Sequence, residues 1–217
     1  LKAAQSTIDE ILKLGGQGSA YAMDVTSEAA TQAVFDSEDE IHGIINNAGI
    51  QHIDPIEDFP KDKWEALIKI LLVGPAIATG IAVKHMRENG YGRIINIGSI
   101  HGLVASPYKS AYISAKHGLL GLSKTVALET ADTDITINTV CPAYVKTPLV
   151  EKQIADQART RGLTEDQVIN EVMLKPMPKK AFISFEELGG TCEYLLSPAA
   201  KNMTGQTLVL DGGWTCT

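Results

Sequence analysis

Ser99 precedes the run Tyr112-Ile113-Ser114-Ala115-Lys116. Residues four apart on a helix share one face, so the Tyr112 phenol and the Lys116 amine project to the same side. A free phenol titrates near ~10, too high for a base at neutral pH. A neighbouring ammonium favours phenolate and lowers that value. Ser99 falls just past a strand-like run, where its hydroxyl can hold a substrate oxygen. Together the three make an acid/base site for a carbinol or a carbonyl. Tyr-x-x-x-Lys alone is a weak pattern that often marks a helix surface. The order strand, Ser99, loop, helix gives it weight.

The elements that would position these groups alternate between short apolar runs and longer helical patterns. Residues 1–14, 61–87, 112–128, 164–173 and 185–196 carry helical spacing, and Thr26 and Ser27 offer caps for a helix through about Phe35. Residues 19–23, 42–45, 93–97, 135–140 and 207–210 read as strands. Strands apolar on both faces and separated by helices predict an α/β fold, a doubly wound parallel sheet covered on both sides. Ligands bind such sheets at the carboxyl ends of the strands. The polar clusters fall there: Asp24, the run Asn46-Asn47-Ala48-Gly49, Ser99, and the stretch from Pro142 to Thr147.

Composition narrows the function. The 217 residues suit one domain, and 44% hydrophobic with 21% charged residues predicts a packed core. A net charge of −7 argues against a nucleic-acid surface. Residues 68–73 are the longest apolar run near Lys69, which interrupts it, so no membrane span is expected. Cys141, Cys192 and Cys216 are odd in number and form no CxxC pair, which fits a reducing cytoplasm better than a disulfide framework or a zinc site. The five histidines lack metal-ligand spacing, so no metal is expected.

Over nearly its whole length the sequence resembles the short-chain dehydrogenase/reductase family. The resemblance rests on Asp24-Val25, Asn46 to Gly49, RIINIGS ending at Ser99, the Ser99/Tyr112/Lys116 spacing, and Ile135-Thr136-Ile137-Asn138. It continues through PAYVKTPL from Pro142, Thr204-Gly205-Gln206 and Asp211-Gly212-Gly213. It implies a Rossmann-like single domain with NAD, or NADP, in the strand-end crevice. Tyr112 would be the general acid/base, Lys116 would hold the nicotinamide ribose and depress the tyrosine pKa, and Ser99 would orient the reacting oxygen. Asp24 and Val25 would lie near the adenine, and Asn46, Ala48 and Gly49 beside the ribose. Pro142, Val145 and Thr147 would flank the nicotinamide, with Thr147 bonding its carboxamide. A cytoplasmic homotetramer is the implied assembly.

The sequence departs from the family in three places. The glycine-rich phosphate loop, T-G-x-x-x-G-x-G, is absent, with the first strand, the first helix and at least part of the second strand. The sequence therefore reads as part of a longer chain. The residue that selects NAD over NADP after the second strand is absent as well. Leu71 stands where the family has an Asn thought to hold a water in a proton relay; a leucine side chain cannot do this. Ala143 replaces a common glycine.

Within the family the chain resembles bacterial-type 3-hydroxybutyrate dehydrogenases, through Gln51 after NNAGI, His101, Lys109, Gln153 and the C-terminal KPMPKKAF and SPAAKNMTGQTLVLDGGW runs. The resemblance implies that Gln51, His101, Lys109 and Gln153 surround a substrate carboxylate. A C4 hydroxy acid needs a cation and several donors converging on one point. Each of the four also has an ordinary reading as a loop or helix-surface residue; their joint match favours the site. Residues 148–177 are long for a connection and are expected to form a helical lid carrying Gln153. The expected reaction is reversible, NAD-dependent oxidation of 3-hydroxybutyrate to acetoacetate. Alternatives on the same scaffold are a sugar-acid or 3-oxoacyl reductase, or an idle cofactor-binding scaffold.

Overall fold

A computed structural model describes residues 2–216, apart from the side chains of residues 149, 152, 156, 160 and 161. Four parallel strands make one sheet in the order β1 (Gly43–Asn46), β2 (Gly92–Ile97), β3 (Ile135–Pro142), β4 (Thr207–Leu210). Side chains alternate faces along a strand. Ile94 and Ile137 therefore pack with Ile81, Ala82 and Met86 of α4 (Gly74–Asn89) on one face. Ile95 and Val140 pack with Cys192 and Leu195 of α8 (Phe185–Leu196) on the other. Every residue of β2 except Ile97, and all of β3, is buried; β1 alternates, leaving Ile45 46% exposed.

The helix caps follow from the sequence. Ser27 accepts from the Ala30 amide and starts α2 (Glu28–Phe35). Ser184 and Glu187 form a reciprocal capping box at α8. Residues 19–23 do not form the expected strand. The segment is irregular and pairs with none of the described strands.

The long helix expected over 61–87 is interrupted. It runs as α3 (Lys61–Ile68), a π-helical turn (Lys69–Val73) and α4. By length and composition Lys61–Asn89 is apolar enough to cross a membrane, its most apolar 18-residue stretch having a mean hydropathy of 2.1. This corrects the reading that no run was. Its apolar residues Leu67, Leu71, Ile81, Ala82 and Met86 are instead buried in the protein.

A polar ladder crosses the sheet and fixes the helix that carries the chemistry, α5 (Ser110–Glu129). The Asn46 amide donates to Asn96 Oδ1 at 2.8 Å, and the Asn96 amide donates to Ser123 Oγ of α5 at 2.9 Å. Ser123 gives its only proton to the Leu119 carbonyl at 2.9 Å, so Thr139 must be the donor in the 2.7 Å bond between the two hydroxyls. Buried polar groups satisfied in this way specify one register for α5 against the strands.

Candidate active site

The carboxyl ends of β1, β2 and β3 open into a cleft of about 830 Å³. Its wall includes Ser99, Tyr112 and Lys116 together with Gln51, His101, Lys109 and Gln153. At the end of β2 the chain turns through Gly98, where a Cβ would come within 2.7 Å of Cys141 Sγ and Thr139 Cγ2. Only glycine lets β2 pass β3 that closely. Ser99 follows in extended conformation and caps the short turn Ile100–Gly102, its Oγ accepting from the His101 amide at 3.1 Å.

Tyr112 and Lys116 project from the first turns of α5. The Ser99 hydroxyl lies beside the Tyr112 phenol and acts to lower its pKa. Lys116 Nζ lies 5.7 Å from the Tyr112 ring centroid and donates to the Ile97 carbonyl at 2.7 Å. Burial pulls the Lys116 ammonium down to about 8, against an opposing effect of Cys141. Burial pushes the Tyr112 phenol up, against the Ser99 hydroxyl that draws it down.

The second cluster is cationic. Lys109 Nζ approaches His101 Nε2 at 3.3 Å. An ammonium has no lone pair, so Lys109 donates and a neutral His101 carries its proton on Nδ1. Burial first, and then the Lys109 charge, bring His101 down to about 4, against an opposing effect of the Val104 backbone. Burial also lowers Lys109. Gln51 Oε1 accepts from the His52 amide at 3.2 Å. A backbone N–H can only donate, so the Gln51 NH₂ is the end left for a ligand. Gln153 reaches the cleft from α6 (Pro148–Arg161), whose N-cap is Thr147. Thr147 Oγ1 accepts from the Val150 amide at 3.2 Å and keeps its own proton to donate.

The other expected cofactor residues divide. Gly49, Pro142, Val145 and Thr147 line the cleft. Val25, Asn46 and Ala48 line a separate hollow of about 110 Å³. Asn46 spends its side chain in the core ladder, because its register opposite Asn96 points it there. The Asp24 carboxylate accepts from the amide and hydroxyl of Thr26 at 2.9 and 2.8 Å and borders neither cavity. A short side chain followed two residues later by a free amide closes on itself. Leu71, on the π-helical turn, lines the cleft as an apolar wall.

Sequence reasoning missed Tyr144 and Trp214. Tyr144 lines the cleft and stacks on Trp214 with ring centroids 6.3 Å apart. Trp214 also meets His101 edge-on at 5.8 Å. Asp211 holds this turn, accepting from the Gly213 and Thr215 amides at 2.8 and 2.7 Å. The signal was the Asp-Gly-Gly run itself, a carboxylate before amides freed by two glycines of positive φ.

A parallel sheet with a Ser/Tyr/Lys cluster at its carboxyl edge defines a Rossmann-like oxidoreductase. Residues 1–215 match the family described as enoyl-(acyl carrier protein) reductase. The chain is 55% identical over 172 residues to D-beta-hydroxybutyrate dehydrogenase of Rhizobium meliloti, covering 79% of this chain and 67% of that protein. It is 46% identical over 171 residues to D-beta-hydroxybutyrate dehydrogenase of Cupriavidus necator, covering 79% and 66%. The matches thus span about two thirds of those relatives' lengths. Sorbitol-6-phosphate 2-dehydrogenase of Erwinia amylovora superposes with a TM-score of 0.90 at 26% identity, over 97% of this chain and 85% of that one. The chain belongs to the short-chain dehydrogenase/reductase family of oxidoreductases.

Proposed function

We propose that the protein oxidises 3-hydroxybutyrate to acetoacetate, reversibly, with NAD as the hydride acceptor. One observation carries the reading. The acid/base cluster and the contact between Lys109 and His101 face the same cleft, so one small molecule can offer a hydroxyl to the first and a carboxylate to the second. The similarity to the two hydroxybutyrate dehydrogenases supports the same substrate.

The residues fit the nicotinamide end of the cofactor. Lys116 is buried, lines the cleft and bonds Ile97, which leaves N–H groups for a ribose diol. Thr147 retains a proton for a carboxamide oxygen. A bound nicotinamide supplies the hydride acceptor. The protein supplies the rest. Ser99 holds the substrate oxygen, and Tyr112, as phenolate beside it, takes its proton as the carbonyl forms. Lys109 balances the carboxylate, while Gln51, His101 and Gln153 direct it. In the reverse direction Tyr112 returns the proton.

The chain acts as one domain. Residues 148–177 form the lid, which has a small core of its own in Ile154, Val168 and Met173. Leu128 of α5 and Val209 of β4 are exposed apolar contacts for a homotetramer, and the compartment is the cytoplasm. A panel of short hydroxy acids, sugar acids and 3-oxoacyl thioesters tests the substrate. The reading expects 3-hydroxybutyrate to give the highest kcat/KM. A preference for sugar acids or thioesters would overturn it.

A further inference from the structure

Two loops bring Gln51 and Lys109 to the cleft, and a pair of side chains outside it ties them together. His52 Nε2 lies 2.5 Å from Asp54 Oδ2, and both side chains are about one-third exposed. The His52 ring meets Phe59 edge-on at 5.2 Å. Phe59 packs on the Leu67, Leu71, Ala111 and Ala115 cluster that also holds Tyr112. The Asp54 amide donates to the Tyr108 carbonyl at 3.0 Å. Tyr108 precedes Lys109 and has a φ of +69°, a conformation a tyrosine adopts only where neighbours enforce it.

We propose that His52 and Asp54 are a positioning pair for the anion site. This rests on the reading of Gln51 and Lys109 as carboxylate ligands. The imidazole anchors the first loop to the α3–α5 cluster and fixes Asp54. Asp54 then holds the strained Tyr108 through the backbone, which aims Lys109 inward. The amide of His52 turns the Gln51 NH₂ toward the cleft from the same loop. Neither His52 nor Asp54 lines the cleft, so the pair acts through its neighbours.

The test is steady-state kinetics with 3-hydroxybutyrate on His52→Ala, Asp54→Ala, their double variant, His52→Gln and Lys109→Ala. The first two should raise KM about tenfold with kcat nearly unchanged, the scale of one charge-assisted bond. The double variant should be no worse than either single change, because the pair acts as a unit. His52→Gln keeps an N–H at similar reach and should restore KM. The proposal is overturned if KM stays put in both single variants, if their effects add, or if kcat falls in step. If Lys109→Ala also leaves KM unchanged, the anion-site reading fails with it. If Lys109→Ala raises KM while the His52 and Asp54 variants do not, that reading stands and only the positioning pair is lost.

Discussion

Lys109 Nζ sits 3.3 Å from His101 Nε2 within an otherwise acidic protein. Two basic side chains meet in the wall of a cleft with no carboxylate among its lining residues. Burial, and then the Lys109 charge, keep His101 neutral, and a carboxylate placed there would relieve the cost of that contact.

Lys109→Ala and Gln153→Ala should each raise KM for 3-hydroxybutyrate by about an order of magnitude or more, since a hydrogen bond to a charged group contributes ~1.5–3 kcal/mol. Cofactor binding should be unaffected. Initial-rate kinetics at varied hydroxybutyrate, with a parallel NADH fluorescence titration, checks both points.

His101 gives the fold a dependence on acid. Its pKa is about 4 in the folded protein, below the ordinary 6.5. Between those values the unfolded chain binds the proton and the folded chain does not, so stability falls as pH drops through this window. His101→Gln should flatten the loss between pH 4 and 6.5. Urea unfolding midpoints across that range measure it. Bound hydroxybutyrate should raise the His101 pKa and draw in a proton, seen as a buffer-dependent binding enthalpy.

Much of the fold was legible because its elements are locally consistent. β4 and α8 keep the boundaries their spacing predicts, and α8 starts at the Ser184 capping box. The π-helical turn at Lys69–Val73 was not legible, since its extra residue per turn leaves no mark on a continuous helical pattern. The candidate site was legible where side chains point out of strand ends. At Asn46 and Asp24 the motif gives the residue but not the direction of its side chain. Asn46 turns into the sheet ladder and Asp24 folds back on Thr26. Trp214 backs Tyr144 and His101 from a C-terminal turn that no local pattern connects to the cleft.

The ladder through Ser123 should be a stability determinant. Ser123→Ala strips Asn96 of its acceptor and leaves Thr139 without its partner in a buried place. An unsatisfied buried polar group costs ~1–3 kcal/mol. The variant should unfold at lower urea with an unchanged slope. Turnover of the remaining folded protein should also drop, since α5 carries Tyr112 and Lys116.

The central claim, that the Tyr112 phenol moves the proton, is tested most directly by Tyr112→Phe. The hydroxyl is removed while the ring stays in its cluster with Leu67, Leu71, Ala111 and Ala115. Reduction of NAD by 3-hydroxybutyrate should fall by roughly 10²–10⁴-fold or more, the usual contribution of a positioned acid/base. NADH should still bind with little change in affinity. Turnover near that of the unsubstituted protein, with the cofactor bound normally, would contradict the account.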